Sequence, residues 1–226
     1  MTEREWVEST HPGKMLDFLR GKTSQRKNWL FACACCRSVW HLLPDMCRRV
    51  IEMVELHADK AVSPSELVAV LEGYYPHNVA LSNLPGGNQA AEAVGHLGWR
   101  WRWRTPGGYE MGFTTWETCR SAAEALAKSI PWAAARQIQA ELFRDLFGNP
   151  FRPSPPLPTA VMAWNDRVSP RIAEGIYKDH AFERLPVLAD ALEDARCTDP
   201  NILEHCRGSG PHARGCWVID LLLSKQ

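Results

Sequence analysis

Four of the chain's eight cysteines fall within one apolar stretch, Asn28 to Cys47, NWLFACACCRSVWHLLPDMC. Trp29, Cys33, Cys36, Trp40 and Leu43 are spaced 4, 3, 4 and 3, which stacks them on one face of a helix. Leu30, Ala34, Arg37 and His41 follow the neighbouring stripe, and Phe31, Cys35, Val39 and Leu42 fall elsewhere on the wheel. A helix apolar on nearly every side needs cover on nearly every side, so this one is expected at the centre of a helical fold. Ser24 or Asn28 supplies its cap. Pro44, which has no amide hydrogen to give, is expected to stop it near Leu43. Asp45 and Met46 then open a second helix through Val50, Val54 and His57. In such a setting cysteine packs as a small hydrophobe.

The rest of the chain is read against that centre. With 226 residues, it is long enough for one large or two small domains, and a core of that size needs no disulfide staple. The 26 basic and 26 acidic residues cancel, which argues against a strong overall field for nucleic acid or an anionic membrane. No apolar run approaches a membrane span. The first residues, MTEREWVEST, are charged and lack the apolar core of a secretory signal. A cytoplasmic site is therefore expected, where cysteines are free or metal-bound rather than bridged.

Helical patterns dominate from end to end. Residues 1–13 read as polar, and a short helix follows from Lys14 to Leu19. Ser63-Pro64-Ser65-Glu66 is a capping box with proline at the first helical position, and Gly73 ends the helix it starts. A second box, Thr114-Thr115-Trp116-Glu117, is expected to start a helix through Ala122, Leu126 and Ile130. Trp132 to Phe147 forms the next, with Gly148 as its stop. Five prolines between Asn149 and Pro158 make a stiff connector. Beyond it lie helices at Arg171–Tyr177, Leu185–Leu192 and Asn201–Cys206, then a last apolar element, Cys216 to Leu223. The expectation is a mainly α, irregular bundle of roughly eight helices. It divides into an N-terminal part, 1–148, a connector, 149–158, and a C-terminal part, 159–226, that packs on the first. One segment stays open. Trp99, Arg100, Trp101, Arg102, Trp103 and Arg104 alternate strictly, as a strand does, and Thr105-Pro106-Gly107-Gly108 suits a tight turn. A short β-hairpin near 98–114 competes with a helix running from Asn88 through Trp103.

Three blocks, LFACACCRSVWHLL, LFRDLFGNPFRP and LPVLADALEDARC followed by ILEHCRGSGPHARGCWVIDLLL, resemble in this order a family of uncharacterised bacterial proteins expanded in planctomycetes. The similarity covers nearly the whole chain except about residues 74–115. Some members carry a label linking them to the SUKH superfamily of immunity and cell-wall-regulator proteins, whose domains are α/β, whereas the patterns here are helical. The resemblance implies no activity and no catalytic residue.

Four kinds of chemistry have candidate residues. Cys197, Cys206, His212 and Cys216 offer thiolates and an imidazole at short spacing across a Gly/Pro loop, as a tetrahedral zinc site requires. Cys33 and Cys36, one helical turn apart, are candidates to complete it. The C-terminal block itself contains no C-x2-C pair. Thiol chemistry would use Cys35 or Cys36 beside Arg37, whose cation favours the thiolate, with His41 or His212 as base. Interleaved indoles and guanidiniums at Trp99–Arg104 are the composition of a single-stranded nucleic-acid platform. Asp190, Glu193 and Asp194 flank Leu188, Ala189 and Leu192 and read as a solvated helix face. No phosphate loop, nucleophile elbow or H-E-x-x-H motif occurs. With ten tryptophans, a residue favoured at binding hot spots, the leading expectation is a non-enzymatic protein-interaction or regulatory module. The alternative is a metal- or thiol-dependent activity of the C-terminal Cys/His cluster.

Overall fold

A computed structural model describes residues 1–74, 85–102, 111–153 and 156–225, with the backbone alone at 98–102 and 111–114. The described residues form α-helices and short 3-10 turns, with no strand among them. None of their helices is long and apolar enough to cross a membrane. The chain divides into two compact units, Met1–Phe143 and Arg144–Gln226.

The first unit opens with α1 (Glu3–Glu8) and α2 (Pro12–Leu19). The polar start read from the sequence therefore holds a helix. Its signal is a capping box: the Thr2 hydroxyl accepts from the Glu5 amide, and the Glu5 carboxylate accepts from the Thr2 amide. One side of α1 buries Trp6 completely. The cysteine-rich helix, α3 (Gln25–Arg37), starts where Ser24 accepts from the Lys27 amide. Every residue from Leu30 to Cys36 is buried, as a helix apolar all round demands. It ends at Arg37, earlier than Pro44 required. Ser38 turns its hydroxyl back onto the Cys35 carbonyl at 2.6 Å, competing with the backbone ladder, and a 3-10 turn at Trp40–Leu42 follows.

Around α3 lie α4 (Asp45–Ala58), α6 (Gly87–Arg102) and α7 (Met111–Leu126), with α5 (Pro64–Tyr74) against α4. Two ion pairs tie α3 to α4 and its end: Arg37 meets Glu55 through two bonds, and Arg26 meets Asp59 at 2.9 Å. Ser63 and Glu66 cap α5 reciprocally. The strand reading of Gly98–Arg102 does not hold: that backbone is helical, as is 111–114, while Trp103–Glu110 lies outside the described residues. An isolated two-stranded hairpin is marginal in water, whereas α6 gains a long contact along α7. The Thr114–Glu117 pattern is no helix start either, because α7 begins at Met111. Phe143, on α8 (Trp132–Phe147), closes this core, its ring edge-on to Phe31 at 4.7 Å and to Trp6 at 5.6 Å.

The second unit begins in the last turn of α8. The proline-rich stretch lies inside it and leads to α9 (Thr159–Asp179). This helix is broken at Trp164–Arg167, where Asn165, Asp166 and Arg167 all have positive φ, and its straight part runs from 168 to 179. α10 (Leu185–Asp194), α11 (Pro200–Arg207) and α12 (Trp217–Leu223) pack with α9 around Ile176, Leu185, Leu188, Leu192, Val218 and Ile219. Each such fully buried aliphatic side chain contributes about 1.5–3 kcal/mol.

Candidate metal centre

Four side chains of the second unit converge on one point: Asp145, His205, His212 and Cys216. Their ligand atoms all lie within 4.8 Å of one another. Each is placed by a local device. Asp145 sits in the last turn of α8, which Gly148 ends in the left-handed region at φ +64°. A Cβ on Gly148 would lie against the Trp217 indole at 3.4 Å, so the stop also leaves room for the ring. His205 rides on α11, started by Asp199, whose carboxylate accepts from the Asn201 amide at 2.9 Å. His212 lies in the loop after α11, and Cys216 caps α12.

The carboxylate of Asp145 is the hub. One oxygen, Oδ2, accepts from the Ala213 amide at 2.9 Å. The other, Oδ1, meets His212 Nδ1 at 2.6 Å and His205 Nε2 at 3.2 Å. His205 Nε2 also lies 3.1 Å from Cys216 Sγ. The rings of His205 and His212 stand edge to face, 5.0 Å apart. Burial alone would raise the Asp145 carboxyl, but hydrogen bonds from both histidines overcome it and hold it below the usual carboxylate range. Burial alone would lower the His212 imidazole, and Asp145 reverses that, so it titrates above its ordinary value. The Cys216 thiol is driven well up, first by burial and then by the charge of Asp145.

The outer partners of the two histidines differ. His212 Nε2 faces the Gly208 carbonyl at 3.5 Å, an acceptor that suits a ring coordinating through Nδ1. On the far side of His205, Trp217 Nε1–H donates to Nδ1 at 3.1 Å. An indole nitrogen only donates, so with this bond in place the proton of neutral His205 is assigned to Nε2.

This arrangement suits a cation better than a nucleophile. A catalytic cysteine needs an accessible, low-pKa thiolate, and Cys216 is fully buried with its thiol pushed up. In a nucleophilic triad the carboxylate holds the nitrogen opposite the one that serves the nucleophile. Here Asp145 and Cys216 both meet the same nitrogen, Nε2. A tetrahedral zinc with bonds of about 2.0–2.3 Å spaces its ligands about 3.3–3.8 Å apart; three of the contacts here are 2.6, 3.1 and 3.2 Å, the distances of hydrogen-bonded groups, so these atoms would spread to admit an ion. With thiolate and carboxylate against a divalent ion, the buried centre is neutral.

Of the residues expected from sequence to hold a metal, His212 and Cys216 enter this cluster. Cys197 and Cys206 do not; both are buried in the second unit's apolar core. Burial, with Asp145 and Cys197 nearby, pushes the Cys206 thiol up to about 12. Cys33 and Cys36 are fully buried in α3 of the first unit, with Cys33 Sγ 3.9 Å from the Ile51 carbonyl. Asp145 and His205 carry no sequence motif. Asp145 betrays itself only as an acid set between Leu142, Phe143 and Leu146, next to a helix stop. Compared with family models, curated proteins and solved structures, the chain matches none of them.

Proposed function

We propose that the second unit is a zinc-binding module in which Asp145 Oδ1, His205 Nε2, His212 Nδ1 and Cys216 Sγ hold the ion. The observation that carries this reading is the convergence of four different ligand atoms on one point in a mostly buried site. The sulfur, nitrogen and oxygen set matches the borderline-soft character of zinc. Four protein ligands fill a tetrahedral shell, and a filled shell is the mark of a structural rather than a catalytic ion. The protein is on this reading a non-enzymatic, metal-stabilised module of the cytoplasm, where eight unbridged cysteines are at home. Its metal joins α8, α11 and α12 of one unit, so binding energy is folding energy.

Metal analysis of protein purified without chelator or affinity metal tests this. One equivalent of zinc per chain is expected, and cobalt substitution should give a thiolate charge-transfer band. Cys216→Ser should lose the band, whereas Cys197→Ser should keep it. Zinc below about a tenth of an equivalent after reconstitution at saturating ion sinks the proposal.

A further inference from the structure

The first unit contains a second sulfur site, independent of the zinc reading. Cys35 on α3 and Cys119 on α7 bring their sulfurs to 3.4 Å across 84 residues of sequence. Both residues are buried. Their surroundings are tightly constrained: the Gln139 amide donates to the Cys119 carbonyl at 2.6 Å, and Ser38 closes on the Cys35 carbonyl. α3 and α7 pack directly on each other. The two sulfurs therefore need to close by little more than an ångström to reach bonding distance, which is about 2.05 Å.

We propose that Cys35 and Cys119 are a redox pair that hydrogen peroxide converts into a disulfide joining α3 to α7. In the first step one thiolate attacks the peroxide O–O bond, which breaks; its sulfur becomes a sulfenic acid, and water leaves after the departing hydroxide takes a proton. In the second step the other sulfur attacks the sulfenic sulfur, the S–S bond forms and a second water leaves. Two thiols and one peroxide give one disulfide and two waters: the sulfurs lose two electrons and the peroxide gains them. Peroxide is small and uncharged, as access to a covered pair requires. The dithiol is the resting form, since burial holds the Cys35 thiol high and keeps its thiolate scarce; the cross-link therefore forms once, over hours, and is not the rapid turnover that an accessible catalytic cysteine supports.

The test is peptide mapping of the folded, full-length protein after millimolar peroxide, with free thiols blocked by maleimide under denaturing conditions. A Cys35–Cys119 linked peptide, lost on treatment with dithiothreitol, is expected from the wild type and from Cys33→Ser. Intact mass should fall by two hydrogens. Cys119→Ser should give no such peptide, and if that variant does not fold the wild-type map decides alone. Folded protein that yields no linked peptide over hours, or a mixture of cysteine pairs, overturns the redox pair.

Discussion

On the zinc reading proposed above, replacing Trp217 by Phe should make the second unit bind the ion more tightly. The indole N–H donates to His205 Nδ1 at 3.1 Å, which holds the imidazole proton on Nε2, the nitrogen that faces Asp145 and Cys216. Coordination through Nε2 requires the proton on Nδ1, where it would point at the indole N–H. Zinc must therefore break this hydrogen bond. A hydrogen bond of this type is worth about 0.5–1.5 kcal/mol net. Phenylalanine removes it from the unloaded protein and takes nothing from the loaded one, so affinity should rise about twofold to tenfold. The ring that covers Gly148 and lies tilted against His205 at 5.2 Å is retained in part. Competition with a chromophoric chelator measures the affinity. A proton–nitrogen spectrum of the wild type supplies an independent readout, because the Trp217 indole resonance should move when zinc is added. If the indole instead orients a ligand in the usual supporting manner, its loss weakens binding about 10–100-fold. That outcome, or an indole resonance indifferent to zinc, would refute the reasoning.

Further outcomes follow from the packing. Phe143→Ala removes a fully buried ring set edge-on to both Phe31 and Trp6 and should cost about 3–5 kcal/mol in urea unfolding of the first unit; a loss below about 1 kcal/mol contradicts the core described. Asp199→Ala deletes the cap of the helix that carries His205 and should destabilise the second unit by about 1 kcal/mol, with a matching fall in zinc affinity on titration. Gly148→Ala puts a side chain on a residue at φ +64° and against the Trp217 ring; thermal unfolding of the second unit should drop by about 1–2 kcal/mol, and no change would mean the α8 stop is relaxed.

Much of the fold is legible in the sequence because helix signals are local. The 4-3-4-3 spacing through Cys33 and Cys36 and the Ser63–Glu66 box describe contacts that a short segment makes with itself or with any apolar neighbour. Errors cluster where a local pattern lost to a neighbour. The Trp/Arg alternation suits a strand in isolation, yet its backbone through Arg102 continues a helix that packs on α7. The end of α3 was hidden by Ser38, whose hydroxyl bond to Cys35 no propensity scale anticipates. In the candidate metal centre, the converging side chain on α11 is His205, one residue before the Cys206 that the sequence favours. Ile202 and Cys206 are four apart on α11, and both turn to the core; the same spacing rule places His205 at the edge of that face. Asp145 could not be read locally at all, because its partners lie 60 to 68 residues away.

That separation has a kinetic side. A cross-link over a loop of this size withholds about 4 kcal/mol of chain entropy from the unfolded state, and none of it is available until both ends have met. On the proposed zinc reading, His205, His212 and Cys216 are neighbours in sequence and can catch an ion early, in an incomplete shell. Asp145 arrives only when the intervening segment has threaded through its prolines and the turn at Asn165–Arg167. Exchange of the ion should therefore be fast in partly folded chains and slow in finished ones, which makes the rate of zinc release a clock for completion of the whole second unit.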